Sequence, residues 1–223
     1  AFFFSAMRHF RDELIGKGLH VFYTELADQP SRDRGQGFGE VLQKDVRRLR
    51  PGKLIVVQPG DFRVEKELKQ TASQLGIHLE IRKDTHFFDT IGGFKHWAEG
   101  RKTLVLENYY RHLRKEHAIL LDQDGGPTGG EWNLDKVNRE TFGKSGTPDT
   151  LEAPRRFLPN RTTKKVLRLV KRRFGSHPGT LDHFDLPVTR TDSLVWLQEF
   201  VERRLARFGR YQDAMWTGEA FLY

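Results

Sequence analysis

Gly35-Gln36-Gly37-Phe38-Gly39 lies between an apolar run and a helical pattern, the setting in which glycines let a backbone close on a dinucleotide pyrophosphate. That fingerprint needs its third glycine at position 40, where Glu40 stands, so the segment reads as a flexible turn. Gly143-Lys144-Ser145 resembles the end of a phosphate-binding loop, in which backbone amides and a lysine cradle phosphates. Its earlier glycine falls at Asn138 and no strand precedes it, so nucleotide hydrolysis is not expected. Asp122, Asp124 and Gly126 are spaced like the start of a calcium loop, but the twelfth position is Asn133 and not a bidentate glutamate. His112 and Glu116-His117 have one residue too many between the first histidine and the glutamate for an inverted zinc motif. There is no Gly-x-Ser-x-Gly elbow, and the nine histidines read as surface or core residues. The chain has no cysteine, which excludes a disulfide framework, thiolate-held zinc and a cysteine-bound iron-sulfur cluster within it. No metal site is expected.

Cationic chemistry is the exception. Of a formal charge of +8, nine basic residues lie between Arg155 and Arg173 with no acidic residue among them, which leaves the rest near neutral. Over 162–174, Val166, Val170 and Phe174 recur every fourth residue, while Lys164, Arg168 and Arg172 do the same on another side. This is a helix with one apolar and one cationic face. A solvated surface and a polyanion-binding surface, above all for nucleic-acid phosphates, both fit it. Membrane attachment fits less well, because the helix is short and has no tryptophan on its apolar side.

The elements that must position these residues follow from periodicity. Four short apolar runs, Ala1–Phe4, Val21–Leu26, Leu54–Gln58 and Ile77–Ile81, alternate with helical patterns. That alternation predicts an open, three-layer α/β domain with a parallel, Rossmann-like sheet and flanking helices, its Ala1–Phe4 strand between neighbours. Ser5 is placed to cap a first helix carrying Met7, Phe10 and Leu14. A second helix is expected over about 37–50, stopping before Pro51-Gly52, and a third from Asp61 or Phe62 to Leu75 with Gly76 beyond it. Leu106, Tyr109, Tyr110, Leu113 and His117 are spaced as the buried stripe of a longer helix. Residues 122–160 are rich in glycine and proline and read as a linker or functional loop. A last helix carries Leu194, Leu197, Val201, Leu205 and Phe208, with Thr189 and Asp192 as its capping pair.

The chain of 223 residues opens without methionine inside an apolar run and is read as a fragment. No stretch approaches the roughly 20 apolar residues of a membrane span, and a cytoplasmic location is expected.

Five ordered blocks carry a resemblance: Ser5-Ala6-Met7-Arg8-His9-Phe10; Pro59-Gly60-Asp61-Phe62-Arg63; Gly100-Arg101-Lys102 with Glu107-Asn108-Tyr109-Tyr110-Arg111; Gly129-Gly130-Glu131-Trp132-Asn133 with Asp135, Asn138 and Arg139; and Phe208 to Met215. Together they resemble the photolyase-related proteins of bacteria, the branch of the cryptochrome/photolyase superfamily that includes the bacterial (6-4) photolyases.

For an intact member the resemblance implies a lumazine-binding α/β antenna domain, a connector and a helical domain. The helical domain would hold flavin adenine dinucleotide (FAD) and a cysteine-bound 4Fe-4S cluster and use light to reverse a (6-4) lesion in double-stranded DNA. On this chain it implies an antenna-type domain at 1–121, a connector at 122–160 and the start of the helical domain at 161–223. The flavin motif, the cluster cysteines and the lesion-binding histidines would lie further on, and the first strand upstream, so the fragment is expected to be inactive and to bind none of these groups fully. Ligands of open α/β sheets sit at the carboxyl ends of strands. An antenna crevice is therefore expected at Phe3, Phe4, Ser5 and Arg8, and at Pro59 and Gly60, with Phe3 resembling a position that packs on the antenna ring. Core packing of the phenylalanines is the competing reading. Trp132, Asn133, Asp135 and Arg139 are expected at a domain interface. Tyr211 and Gln212 are placed near the flavin, and Lys164, Arg168 and Arg172 on DNA. A monomer of a bacterial repair lyase is the leading expectation. A cryptochrome-like photoreceptor and a non-enzymatic, basic nucleic-acid-binding module are the alternatives.

Overall fold

The structure, a computed structural model, describes residues 1–147 and 152–211. Among them are eight α-helices and one two-stranded parallel sheet. The chain divides into two compact units, one built from Ala1–Asp33 and the described part of Leu134–Tyr223, the other from Arg34–Asn133.

The second unit holds the strand-helix alternation. Helix α2 (Phe38–Leu49) ends at Arg50, which takes the left-handed conformation before Pro51. Strand β1 (Lys53–Val57), helix α3 (Phe62–Gln74) and strand β2 (His78–Arg82) make one βαβ unit, with Lys53 opposite His78 and Val57 opposite Arg82. The β-branched run Ile55-Val56-Val57 suits a pleated strand. Asp61 caps α3 by accepting from the Arg63 amide at 2.8 Å, and Gly76 follows it with φ +65°. Across the two strands Glu80 accepts from Lys53 at 2.9 Å, and along β2 it accepts from Arg82 at 2.6 Å. These bonds, Lys53 first, pull its carboxyl down to about 2.

The glycines before α2 serve packing. Gly37 is a cap without a side chain, and its place is taken by Glu67 of α3, whose Oε1 accepts the Gly39 amide at 2.7 Å. The carboxylate thus meets the positive end of α2. A Cβ on Gly39 would lie 2.7 Å from Thr71 Oγ1 and 3.0 Å from Glu67 Oε1, so the helices approach this closely only over glycine.

Helices α4 (Ile91–Ala98) and α5 (Leu106–Glu116) complete this unit. The expected buried stripe of α5 is divided, with Tyr109 and Leu113 half-buried and Leu106, Tyr110 and His117 exposed.

The first unit corrects the sequence reading. Ala1–Phe4 is not a strand: residues from Phe2 onward begin α1 (Phe2–Gly16), and the Ser5 amide donates to Ala1 O at 3.0 Å. Four apolar residues suit a strand or a helix turn equally well, and the continuous helix-forming sequence to Ile15 decides for helix. Ser5 therefore does not cap the helix but lies inside it, fully buried, and its hydroxyl has no hydrogen-bond partner among the described residues. Val21–Leu26 forms no strand either. Side chains fix it instead: Glu25 binds Arg8 at 3.1 Å and Arg11 at 2.5 Å, and Arg11 covers the Tyr23 ring. Phe3, Phe4 and Ser5 consequently do not end a strand, whereas Gln58, Pro59 and Gly60 do follow β1.

Helix α6 (Arg161–Phe174), capped by Asn160, packs on α1 through Thr163, Val166 and Leu169. Helix α7 (Arg190–Arg203) has the expected cap, with Thr189 Oγ1 accepting the Asp192 amide at 3.1 Å, and α8 (Leu205–Tyr211) follows it. Residues 122–147 and 152–160 are irregular as expected. In that stretch Asp122 caps its own turn, accepting from the amides of Asp124 and Gly126.

Gly39→Ala should destabilise the protein by about 1–3 kcal/mol, because Thr71 is β-branched and buried and yields little. Chemical denaturation should show this as a lower midpoint with an unchanged slope.

Candidate functional site

The site with a definite chemical character is the outer side of α6. Thr163, Val166 and Leu169 face inward, and all six exposed positions are cations: Arg161, Lys164, Lys165, Arg168, Lys171 and Arg172. Lys164, Arg168 and Arg172 share this face as the periodicity predicts.

Arg173, counted with the basic run, turns the other way. It forms a two-pronged pair with Asp33, Nη1 to Oδ1 at 3.1 Å and Nη2 to Oδ2 at 2.9 Å, with side chains only 10% and 7% exposed. Nη1 also donates to Ala27 O at 2.7 Å, and Asp33 Oδ1 accepts the Ala27 amide at 2.8 Å. These hydrogen bonds, from Arg173 first and then from the Ala27 amide, hold the Asp33 carboxyl below its ordinary range. Between the tied ends, Asp28 reaches out to Arg172 at 2.8 Å.

The residues proposed for an antenna crevice have different fates. Phe3 is 77% exposed on α1 and its ring meets Phe2 edge-on, whereas Arg8 is buried and committed to Glu25. Phe3, Phe4, Ser5 and Arg8 share one helix of the first unit, and Pro59 and Gly60 belong to the second. Trp132 and Asn133 are brought onto α5: Asn133 donates to Glu107 at 3.1 Å, and Arg111, Arg114 and Lys115 surround the indole with charged groups 5.0–5.8 Å from its centre. That is cation-π packing. Arg114 also donates to the carbonyls of Ile119 and Leu120, holding the turn that contains the left-handed Ala118 and Leu120. Asp135 and Arg139 lie in the other unit. Tyr211 is buried beside Phe142, ring centres 5.4 Å apart, and Gln212 lies outside the described residues.

Sequence reasoning missed an aromatic cleft of about 530 Å³ on α4 and α5. Trp97 stacks near His112, Arg101 lies 4.4 Å over the indole, and Tyr109 donates to Asp89 at 2.6 Å. Burial, and then the bond to Asp89, pushes the Tyr109 hydroxyl up to about 12. The paired spacings Phe94/Trp97 and Tyr109/His112 were visible signals, but only helix packing joins them.

The chain is a mixed α/β protein with one wholly cationic helix face. Residues 1–186 match the profile of the family described as deoxyribodipyrimidine photo-lyase-related protein, and the chain belongs to that family. It is 39% identical over 216 residues to the (6-4) photolyase of Agrobacterium fabrum (strain C58), an alignment covering 96% of this chain and 41% of that protein. The chain thus spans about two fifths of the length of that relative. It is 22% identical over 142 residues to an uncharacterized protein of Acanthamoeba polyphaga mimivirus, covering 62% of this chain and 68% of that protein. Among the described residues no helix is long and apolar enough to cross a membrane.

Asp33→Asn should lower the thermal midpoint by several degrees at neutral pH, because the substitution leaves the Arg173 charge buried without its partner. The folded-state carboxyl is depressed, so its stabilisation is present above the unfolded value of about 3.9 and is lost as pH falls through the lower folded value. The gap between native protein and variant should therefore narrow below about pH 4 in a melting series.

Proposed function

We propose that the chain is part of a light-dependent DNA-repair flavoprotein of the (6-4) photolyase type, a lyase acting on damaged double-stranded DNA as a monomer in the bacterial cytoplasm. The observation that carries this reading is the 39% identity to a (6-4) photolyase across 96% of the chain. The βαβ unit would belong to an open, Rossmann-like antenna-type domain over 1–121, with 122–160 as connector and 161–223 as the start of the helical, flavin-binding domain. Trp132, Asn133, Asp135 and Arg139 would support the interface between those domains.

The groups such a protein carries fit this chain unequally. The chain has no cysteine, so none of its residues fits an iron-sulfur cluster and no step here runs through one. For a lumazine, Phe3 offers an exposed ring of the kind a flat heterocycle packs on, whereas Ser5, two residues further along the same helix and fully buried, faces the other way and fits less well. Arg8 fits less well, since its guanidinium already serves Glu25. Phe4 would stand with Phe3 in such a site, and Pro59 and Gly60, which follow β1, are proposed for antenna contact on their own unit. FAD, the group that would supply the photochemistry, is expected mainly on residues outside this chain, with Tyr211 and Gln212 at its border. The contribution of Lys164, Arg168 and Arg172 would be to attract DNA phosphates.

A full-length protein containing this chain should convert (6-4) photoproducts in a duplex back to pyrimidines under blue light and not in darkness, as read by chromatography of the digested DNA. Absence of light-dependent conversion overturns the reading. Phe3→Trp should crowd the antenna site and reduce the lumazine extracted per protein; unchanged lumazine content removes Phe3 from it.

A further inference from the structure

Helix α6 breaks the charge pattern of the other amphipathic helices. Helices α2, α3 and α5 each balance a cation with a glutamate one turn away: Lys44 with Glu40, Lys69 with Glu65 and Arg111 with Glu107. Helix α6 has no acidic residue in 14 positions, and its six exposed cations repel one another at spacings of three and four. They cover an arc of roughly 120° along roughly 16 Å of helix. Among the described residues, Arg161, Lys164, Lys165, Arg168 and Lys171 have no carboxylate within ion-pair distance, and Arg172 has only Asp28. Asp28 is itself exposed, and it is held at this face because Arg173 and Asp33 tie the ends of its loop.

The chemistry of the face selects its partner. A length of about 16 Å matches about five phosphates of one strand at ~3.4 Å each along a duplex. The single aromatic residue of α6, Phe174, is half-buried against the His177 ring, so the face presents no platform on which an unpaired base could stack. A row of exposed cations with no stacking group binds first through phosphate charge, which positions a backbone and carries no sequence information.

We infer that the outer face of α6 binds the phosphate backbone of duplex DNA without sequence preference, and that Asp28 acts as a built-in phosphate substitute that competes for Arg172. The choice of duplex DNA rests on the repair reading above. Asp28 neutralises part of the face when no DNA is bound, and the first phosphate to reach Arg172 must displace it. Arg173 takes no part in binding, since its guanidinium is enclosed with Asp33.

The test is binding of the protein to two undamaged duplexes of unrelated sequence, measured by fluorescence anisotropy across a salt series, with thermal melting as a control. K164Q/R168Q/K171Q should weaken both duplexes at least tenfold at low salt and reduce the salt slope by about 2.7, at about 0.9 per phosphate contact, with an unchanged melting midpoint. D28N should bind both duplexes several-fold more tightly, with a slope steeper by about one. An unchanged slope in the triple variant, or a lower melting midpoint with the slope intact, overturns the DNA face and assigns it to protein packing. Tighter binding of duplex RNA or of polyglutamate overturns the choice of partner, and unchanged affinity in D28N overturns the competition. Light-driven repair is scored separately in full-length protein. Loss of repair activity with these responses intact strikes the repair reading alone, and repair with an unmoved salt slope strikes this inference alone.

Discussion

The pair between Asp33 and Arg173 joins residues 140 positions apart and organises the first unit around it. Both charges are nearly out of solvent, where an isolated ion is costly and a two-pronged, fully hydrogen-bonded pair is tolerated. The Ala27 amide and carbonyl occupy remaining bonding capacity on the two partners, so the pair also closes the loop from Ala27 to Asp33. With that loop fixed against the end of α6, the orientation of the helix about its axis is set. Val166 and Leu169 turn toward α1, and the other cations are left in water.

The same constraint gives one run of basic residues two roles. A guanidinium facing inward at Arg173 stabilises the fold, and its immediate neighbour Arg172 faces outward and pairs with Asp28. Adjacent helical residues are separated by about 100°, enough to carry one charge into the core side and the next to the surface. Charge count alone does not distinguish them, and a treatment of the nine basic residues as one patch overstates the surface field by at least this one group.

The second unit is held by different means. Its α2–α3 contact depends on the absence of a side chain at Gly39 and on a glutamate that serves a neighbouring helix end. Its α4–α5 contact depends on aromatic rings and the Tyr109–Asp89 hydrogen bond. Trp132 extends that logic to the irregular segment after α5: a tryptophan in a polar, glycine-flanked stretch docks on the cations of α5 and brings Asn133 to Glu107. These contacts give the membership of the chain in the photolyase-related family a physical content, because three of the ordered blocks that signal the resemblance, at 59–63, 107–111 and 129–133, supply a helix cap, an aromatic clasp and a docked loop.

Elements whose cues are local were legible in the amino-acid order. The bounds of α2 and α3, the cap at Thr189, the parallel pairing of β1 with β2 and the two-faced character of α6 all follow from periodicity and side-chain chemistry within a few residues. The apolar runs at Ala1–Phe4 and Val21–Leu26 were misread as strands, because a strand exists only where another chain segment completes its hydrogen bonds and a short apolar run does not specify that partner. The cationic face was likewise only half legible: spacing identified Lys164, Arg168 and Arg172, but the inward turn of Arg173, the pairing of Asp28 with Arg172 and the contact of Trp97 with Tyr109 were decided by tertiary structure. Each joins residues distant along the chain or on different helices, and the energy that selects them comes from burial and charge pairing that arise only when those segments meet.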